Sequence, residues 1–338
     1  MKDHLSYAMQ NEEATNALIY FNAPSQILDW SFLAIEAILV IGFILTIVHA
    51  FKYDKDHQTS SARLTLLAAF LYGLAMDIIS YYTVENFWHG EFSVMFLYNR
   101  LPLYIALFYP TFMYHSYMLI RRFDFGPLKE AICVGFFAGF MYLIFDNLGP
   151  LLQWWVWDTS DTSTWPYVNS VPLTSYHWFF TFLMAFALIN RIISWHWVEQ
   201  KQSKIKIGIL HALQPTLTIL LGSVFFAPYN LLAAVMPPYD MLPWKPMLTL
   251  AAVWHGITFA AAGALFIFGW KHSKQAPDHL LMTFPFIFLV GHAMIYIAKF
   301  DQHFIEGGVN PLSGNLLAVL ISLIGSSVIV LASNKKSA

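Results

Sequence analysis

The sequence predicts an all-α, polytopic membrane protein, and three observations carry that prediction. Hydrophobic residues make up 58% of the 338 positions and charged residues only 11%, with a mean hydropathy of +0.55. A water-soluble core of this size could not hide so much apolar surface. The apolar residues also fall into nine runs, each near the roughly 20 residues that a helix needs to cross a bilayer about 30 Å thick. Finally, the basic residues lie between those runs in alternation. Fourteen of the 18 Lys and Arg fall in every second connection, leaving Lys2, Arg100, Lys245 and Lys299 on the other side. The positive-inside rule then places the N-terminus outside and the C-terminus in the cytoplasm.

The expected spans are 27–51, 63–84, 101–120, 127–147, 171–195, 206–229, 246–270, 279–299 and 312–333. The first carries Glu36 below its outer end, and the second carries Asp77 before running out towards Glu85. Pro102 opens the third, where a missing N–H leaves no helical bond unmade. The fourth ends at Asp146-Asn147, and Pro172 opens the fifth. Gln214-Pro215-Thr216 interrupts the sixth, and the loop Asp240-Met241-Leu242-Pro243-Trp244 precedes the seventh. On the eighth, His292, Tyr296 and Lys299, with His303 beyond, recur at helical spacing on one face. Pro311 opens the ninth.

The domain organisation follows: an outer segment 1–26, one transmembrane domain 27–333 with aromatic outer loops at 85–100 and 148–170, and a cytoplasmic tail 334–338. Residues 1–25 contain Asp3, Glu12 and Glu13 and no basic stretch ahead of an apolar run, so the first span is expected to act as its own targeting signal. The expected location is a bacterial or archaeal cytoplasmic membrane. A formal charge of −2 offers no case for nucleic acid, and the single Cys133 excludes an intrachain disulfide.

Two stretches share one layout: an acid near the end of an apolar run, an aromatic loop, then an x-Pro-Leu step into the next run. The first passes from Asp77 through Glu85, Trp88, His89 and Glu91 to Tyr98-Asn99-Arg100-Leu101-Pro102-Leu103-Tyr104. The second passes from Asp146 through Trp154, Trp155, Trp157 and Asp158 to Tyr167 and Val171-Pro172-Leu173. Carboxylates beside a bilayer core are costly and face a partner, a cavity or a substrate. Glu36, Asp77, Glu85 and Asp146 are therefore the candidate catalytic residues, expected to converge on the outer half, with Glu85 and Asp146 in one cavity and Asp77 or Glu36 deeper. Trp88, His89, Tyr98, Arg100, Trp155, Trp157, Tyr167 and His177 are the candidate substrate-binding residues.

At these segments the chain resembles the membrane-embedded carotenoid hydratases, which act on the terminal isoprenoid double bond of lycopene-like or bacterioruberin-like carotenoids. The matching residues are Glu85, Gly90, Phe92, Tyr98, Pro102 and Leu103, then Asp146, Trp155, Trp157, Tyr167, Val171, Pro172 and Leu173, within residues 70–185. The pattern departs from that family at Arg100-Leu101 and Ser170-Val171, where a glycine usually precedes the Pro-Leu step. The resemblance implies hydration of an alkene in a carotenoid-like or polyisoprenoid membrane lipid.

The residues suit that chemistry on their own terms. Hydrating an isolated alkene needs a strong proton donor, a wall that tolerates a tertiary carbocation and a base for the incoming water. A carboxylic acid desolvated among apolar groups keeps its proton to higher pH, and aromatic faces attract a cation. Isoprenoid cyclisation or double-bond isomerisation would use the same set. Two alternatives stand beside this reading. A proton-coupled transporter also places carboxylates and His within spans, and a non-catalytic lipid-binding subunit of a membrane complex would use the aromatic loops for packing. No cofactor is expected. The 13 His include no close His-x-x-His or His-x-x-x-His pair, so no metal is expected; Glu85, His89 and His177 would be the ligands if one bound.

Overall fold

The computed structural model describes residues 17–23, 25, 27–158, 161, 164, 166–168, 171–201, 203–234, 250–269, 276–300 and 316–334. Within them lie nine long helices: α1 Trp30–His57, α2 Ser61–Ile79, α3 Leu103–Arg121, α4 Pro127–Leu151, α5 Leu173–Asn190, α6 Lys204–Ala234, α7 Leu250–Phe268, α8 His279–Ala298 and α9 Leu316–Ser333. Eight are long and apolar enough to cross a membrane. The protein is an all-α, multi-pass integral membrane protein. The motifs at Asp240–Pro243 and Asn310–Leu312, together with Asp301 and His303, lie outside the described residues.

The ninth helix, α3, differs for a physical reason. It carries Tyr104, Thr111, Tyr114, His115, Ser116 and Tyr117, all buried, and it packs against α1, α2, α4 and α8. A helix screened from lipid by its neighbours can hold polar side chains that a lipid-facing helix could not. The lipid-facing helices show the converse: Ile41, Ile44, Val48, Leu220, Val224 and Leu231 stand exposed.

Short strands occupy one end of the bundle. After α2 the chain passes through a π-helical turn, Ser80–Val84, then β2 Phe87–His89, β3 Val94–Phe96 and β4 Leu101–Pro102 before entering α3. After α4 it passes through β5 Trp155–Trp157, β6 Tyr167–Val168 and β7 Val171–Pro172 before entering α5. In each unit a two-strand hairpin ends in the proline that starts the next helix: Met95 pairs with Pro102 in one and Tyr167 with Pro172 in the other. The two units then join, because β2 and β5 pair antiparallel with Phe87 opposite Trp157, Trp88 opposite Val156 and His89 opposite Trp155. Antiparallel pairing of equivalent strands is what a local two-fold relation between two repeats produces. β1, Ile19–Phe21, adds to the outer edge of β3, and Asn22 Nδ2 donates to the Phe92 carbonyl at 2.7 Å.

The fourth span does not end at Asp146-Asn147. Helix α4 continues to Leu151 and leaves Asp146 inside it. Pro150 lacks the N–H that would reach back to the Asp146 carbonyl, so the last turn loosens without stopping. Gly149 belongs to the same turn because a Cβ there would meet the Trp155 ring at 2.0 Å.

Charged groups close the other end, where the basic residues gather. Glu130, buried in α4, lies 2.8 Å from Arg191 and 3.8 Å from Arg121, whose guanidinium also covers the Trp195 ring at 3.5 Å. Asp278 starts α8 by accepting the Leu281 N–H at 3.0 Å and faces His49 Nε2 at 2.9 Å. Burial works against the Asp278 charge, yet the His49 contact, the Leu281 N–H and the Arg122 guanidinium hold its carboxyl down to about 2. A carboxylate held below its unfolded value contributes stability above that value and loses it as pH falls through the folded one. In detergent, the stability advantage of the wild type over Asp278→Asn is therefore expected to shrink by up to roughly 2 kcal/mol as pH falls from about 5 towards 2. An advantage that does not change over that window would remove Asp278 from the inventory of stabilising groups.

Candidate functional site

Beneath the strand-bearing end, three carboxyls enter the bundle from three helices. Glu36 comes from α1, Asp77 from α2 and Asp146 from α4, and they are 5%, 3% and 0% exposed. Asp77 and Asp146 occupy corresponding places in the two repeats, each on the helix that leads into its strand segment. Tyr104, in the first turn of α3, lies within electrostatic reach of all three carboxyls, and Tyr109, one turn further, within reach of Asp77 and Asp146. Helix α3 is thus the axis around which the acids are arranged.

Hydroxyl groups lie beside them. Asp146 lies beside Ser175 and Tyr142 without closing a hydrogen bond to either, and both its oxygens are buried and unpartnered among the described residues. The neighbouring Asn147 Nδ2 donates to the Tyr176 hydroxyl at 2.8 Å and to the Leu143 carbonyl at 2.7 Å. Asp77 Oδ2 and Glu36 Oε1 are likewise buried without a partner, although Glu36 lies close to Ser93 and to the Val94 N–H. None of the ion pairs among the described residues involves Glu36, Asp77 or Asp146. Buried carboxyls normally sit against a cation or a saturated set of donors, so three that each keep an unpartnered oxygen are an unusual feature of this interior.

His89 reaches this group from β2. Its Nδ1 is 2.9 Å from the Tyr104 hydroxyl, and its Nε2 is buried. Burial pushes the imidazole down to about 3, against a smaller opposing effect of the Trp154 backbone, so it is neutral at physiological pH. Glu91, on the same segment, is shifted upward by burial and partly held back by the Asn99 amide at 3.4 Å.

Aromatic rings make the wall. Phe145 stacks on Phe108 at 4.6 Å and lies 5.0 Å from Trp155 and 6.1 Å from Tyr104. Tyr142 stacks on Phe179 at 3.6 Å. His292 on α8 closes the far side against Phe145 at 5.8 Å and Trp154 at 5.9 Å.

Of the residues expected from sequence, the structure brings together Glu36, Asp77, Asp146, His89 and Trp155. It separates Glu85, whose side chain is 60% exposed and faces Arg100 at 3.5 Å. Glu85 adopts φ 50 where the π-helical turn ends, which turns it outward. Arg100 donates to the Tyr81 carbonyl at 2.6 Å and covers the Tyr82 ring, tying down that same turn. Tyr98 is exposed at φ 59. Trp88 and Trp157 stay in the β2–β5 ribbon, Trp157 packing on Phe87 at 5.2 Å. Tyr167 donates to Thr164 Oγ1 at 2.8 Å. His177 belongs to a different cluster, with its Nδ1 3.0 Å from that of His255 and its ring on Tyr229. Among the described residues no three His, Cys, Asp or Glu side chains gather as a metal site.

Sequence reasoning missed Tyr104, Tyr142, Ser175 and Tyr176. A signal existed for three of them: Tyr104, Ser175 and Tyr176 sit directly after the two x-Pro-Leu steps, in the first turns of α3 and α5.

Residues 16–238 match the family described as a domain of unknown function (DUF7802). No curated protein and no solved structure matches the chain. The matched region runs from ahead of β1 to beyond α6 and contains both repeats, the three carboxyls and the Tyr104–His89 pair. The chain belongs to the DUF7802 family.

Proposed function

We propose that this membrane protein is an enzyme that acts on an isoprenoid or carotenoid-like lipid by acid-initiated alkene chemistry, in a prokaryotic cytoplasmic membrane. The observation that carries the reading is the pair Asp77 and Asp146, presented from equivalent places in two repeats, with open carboxyl oxygens and aromatic rings around them. In hydration, Asp146 gives its proton to one alkene carbon, and the cation that forms on the other is held against the faces of Phe145, Phe108 and Trp155. Water adds to that cation and its surplus proton passes to Asp77. The Tyr104 hydroxyl, within electrostatic reach of both acids and paired with the neutral His89 imidazole, returns the proton to Asp146, so the cycle consumes only alkene and water. If no water reaches the cation, loss of a neighbouring C–H proton to Asp77 completes an isomerisation; if a second double bond of the same chain first attacks the cation and closes a ring, the same proton loss from the new cation completes a cyclisation.

The test is incubation of the purified protein with polyprenyl and carotenoid alkenes in heavy water. Deuterium is expected on carbon of the product, whichever of the three outcomes follows the protonation. Failure of every such alkene to acquire carbon-bound deuterium would sink the reading.

Transport is a second reading, favoured by one specific feature. Carboxyls at matching positions of two repeats that run the same way through the membrane are the layout of transporters whose repeats share an axis along the membrane normal. Solute-dependent proton movement into proteoliposomes, without change to the solute, would favour it over catalysis.

A further inference from the structure

A file of buried polar side chains runs between α2, α5 and α6 from the basic end of the bundle towards Asp77. At its start His211 Nε2 lies 3.0 Å from Ser194 Oγ, which is 2.6 Å from Asn190 Oδ1. Asn190 Nδ2 donates to Thr65 Oγ1 at 3.0 Å, and Gln214 Nε2 donates to Asn190 Oδ1 at 3.2 Å. Every one of these residues is buried. His211, Gln214 and Thr218 recur at the spacing that shares one face of α6, and Thr65 and Tyr72 share one face of α2, which packs on α6.

The first half of the file has an ordinary explanation, because hydrogen bonds between helices hold membrane bundles together. The second half does not. Gln214 Oε1, Thr218 Oγ1, the Tyr72 hydroxyl and Asp77 Oδ2 are all buried without a partner among the described residues, and Tyr72 lies within electrostatic reach of Asp77. Unpaired polar atoms in an apolar interior are costly. A row of them, spaced along two packed helices, is the lining that ordered water bridges. At the opposite end, by contrast, the strand layer over the carboxyls is built from Phe92, Met95, Leu101, Trp154 and Trp155, all buried.

We propose that this file is a hydrated proton path that connects Asp77 with the aqueous phase at the basic end of the bundle. A proton enters at His211, is handed through Ser194, Asn190, Gln214 and Thr218 with intervening water to Tyr72, and ends on the Asp77 carboxylate. Asp77 is faced by the Tyr72 hydroxyl from its own helix and by Tyr104 and Tyr109 from α3. The path is independent of the reaction the carboxyls perform, and it makes their proton supply one-sided.

An apolar carbodiimide, which reacts with protonated carboxyls in membranes, tests this in right-side-out and inverted vesicles holding the full chain, with pH set separately on each side. Mass spectrometry of the Asp77 peptide is expected to show labelling that follows pH at the basic end and ignores pH at the strand end. Thr218→Val keeps the shape and removes the hydroxyl, and Tyr72→Phe does the same one step on. Each is expected to slow the response of labelling to a pH jump about tenfold, in line with the loss of one hydrogen-bonded link. Labelling that follows the strand side, that ignores pH on both sides, that never occurs, or that responds equally fast in both variants overturns the proposal. Failure of the alkene-protonation reading would leave these labelling results unchanged.

Discussion

Asp146→Asn is expected to cut deuterium incorporation into the alkene product by at least the roughly 10²-fold typical of lost general acid catalysis. The substitution keeps the size of the side chain and its ability to sit beside Ser175 and Tyr142, so packing around it is preserved. What it removes is the only proton that the residue can deliver. Asp77→Asn is expected to be nearly as damaging, since the repeat relation gives it the complementary role. Glu85→Gln is the informative control. Its side chain lies at the surface beside Arg100, where an ion pair contributes about 0–1 kcal/mol, and turnover is expected to stay near the wild-type value. Equal losses in Glu85→Gln and Asp146→Asn would move the chemistry out of the bundle; undiminished turnover in Asp146→Asn would end its assignment as the acid.

Trp154→Ala is expected to have the largest effect on stability, about 3–5 kcal/mol for a fully buried aromatic side chain. Trp154 heads the largest fully buried side chains. Its indole N–H donates to Ser31 Oγ at 3.1 Å, which fastens the strand layer to the start of α1. Its ring meets His292 and Phe145 at 5.9 and 6.1 Å, and its carbonyl accepts the Gly90 N–H at 2.9 Å. Truncation opens a cavity where α1, α4, α8 and the strand layer converge. Denaturant unfolding in detergent should register the loss, with Phe21→Ala, at an exposed position, as the reference. A loss under about 1 kcal/mol would show that the layer is held elsewhere.

The helices were legible because lipid leaves little choice: each apolar run of the right length became a helix, and only the ends moved. Asp77 and Asp146 were legible for the same reason, as charges interrupting apolar runs. The strands were not, since segments as short as Leu101–Pro102 and Val171–Pro172 cannot display a two-residue period. The register that sets His89 against Trp155 joins residues far apart in the chain, and no local pattern encodes it. Glu85 illustrates a different limit. As the last acid of the second span it read as a partner for Asp146, but a widened helical turn at Ser80–Val84 and a left-handed φ swing it away. Tyr142 was hidden by its type, because a tyrosine in the middle of an aromatic-rich helix carries no mark until its neighbours are known.

The β2–β5 ribbon also sets an order of assembly. During synthesis β2 emerges well before β5, with all of α3 and α4 between them, an interval of several seconds at roughly 5–20 residues per second. Throughout that interval the edge of Phe87–His89 has no strand to meet, and the His89–Tyr104 pair stands without Trp155 opposite it. Only after α4 has been made can Trp155–Trp157 pair with Phe87–His89 and join the two units. Closure of the strand layer therefore waits on β5, and a nascent chain stalled within α4 presents an unpaired β-edge, a feature prone to non-native pairing.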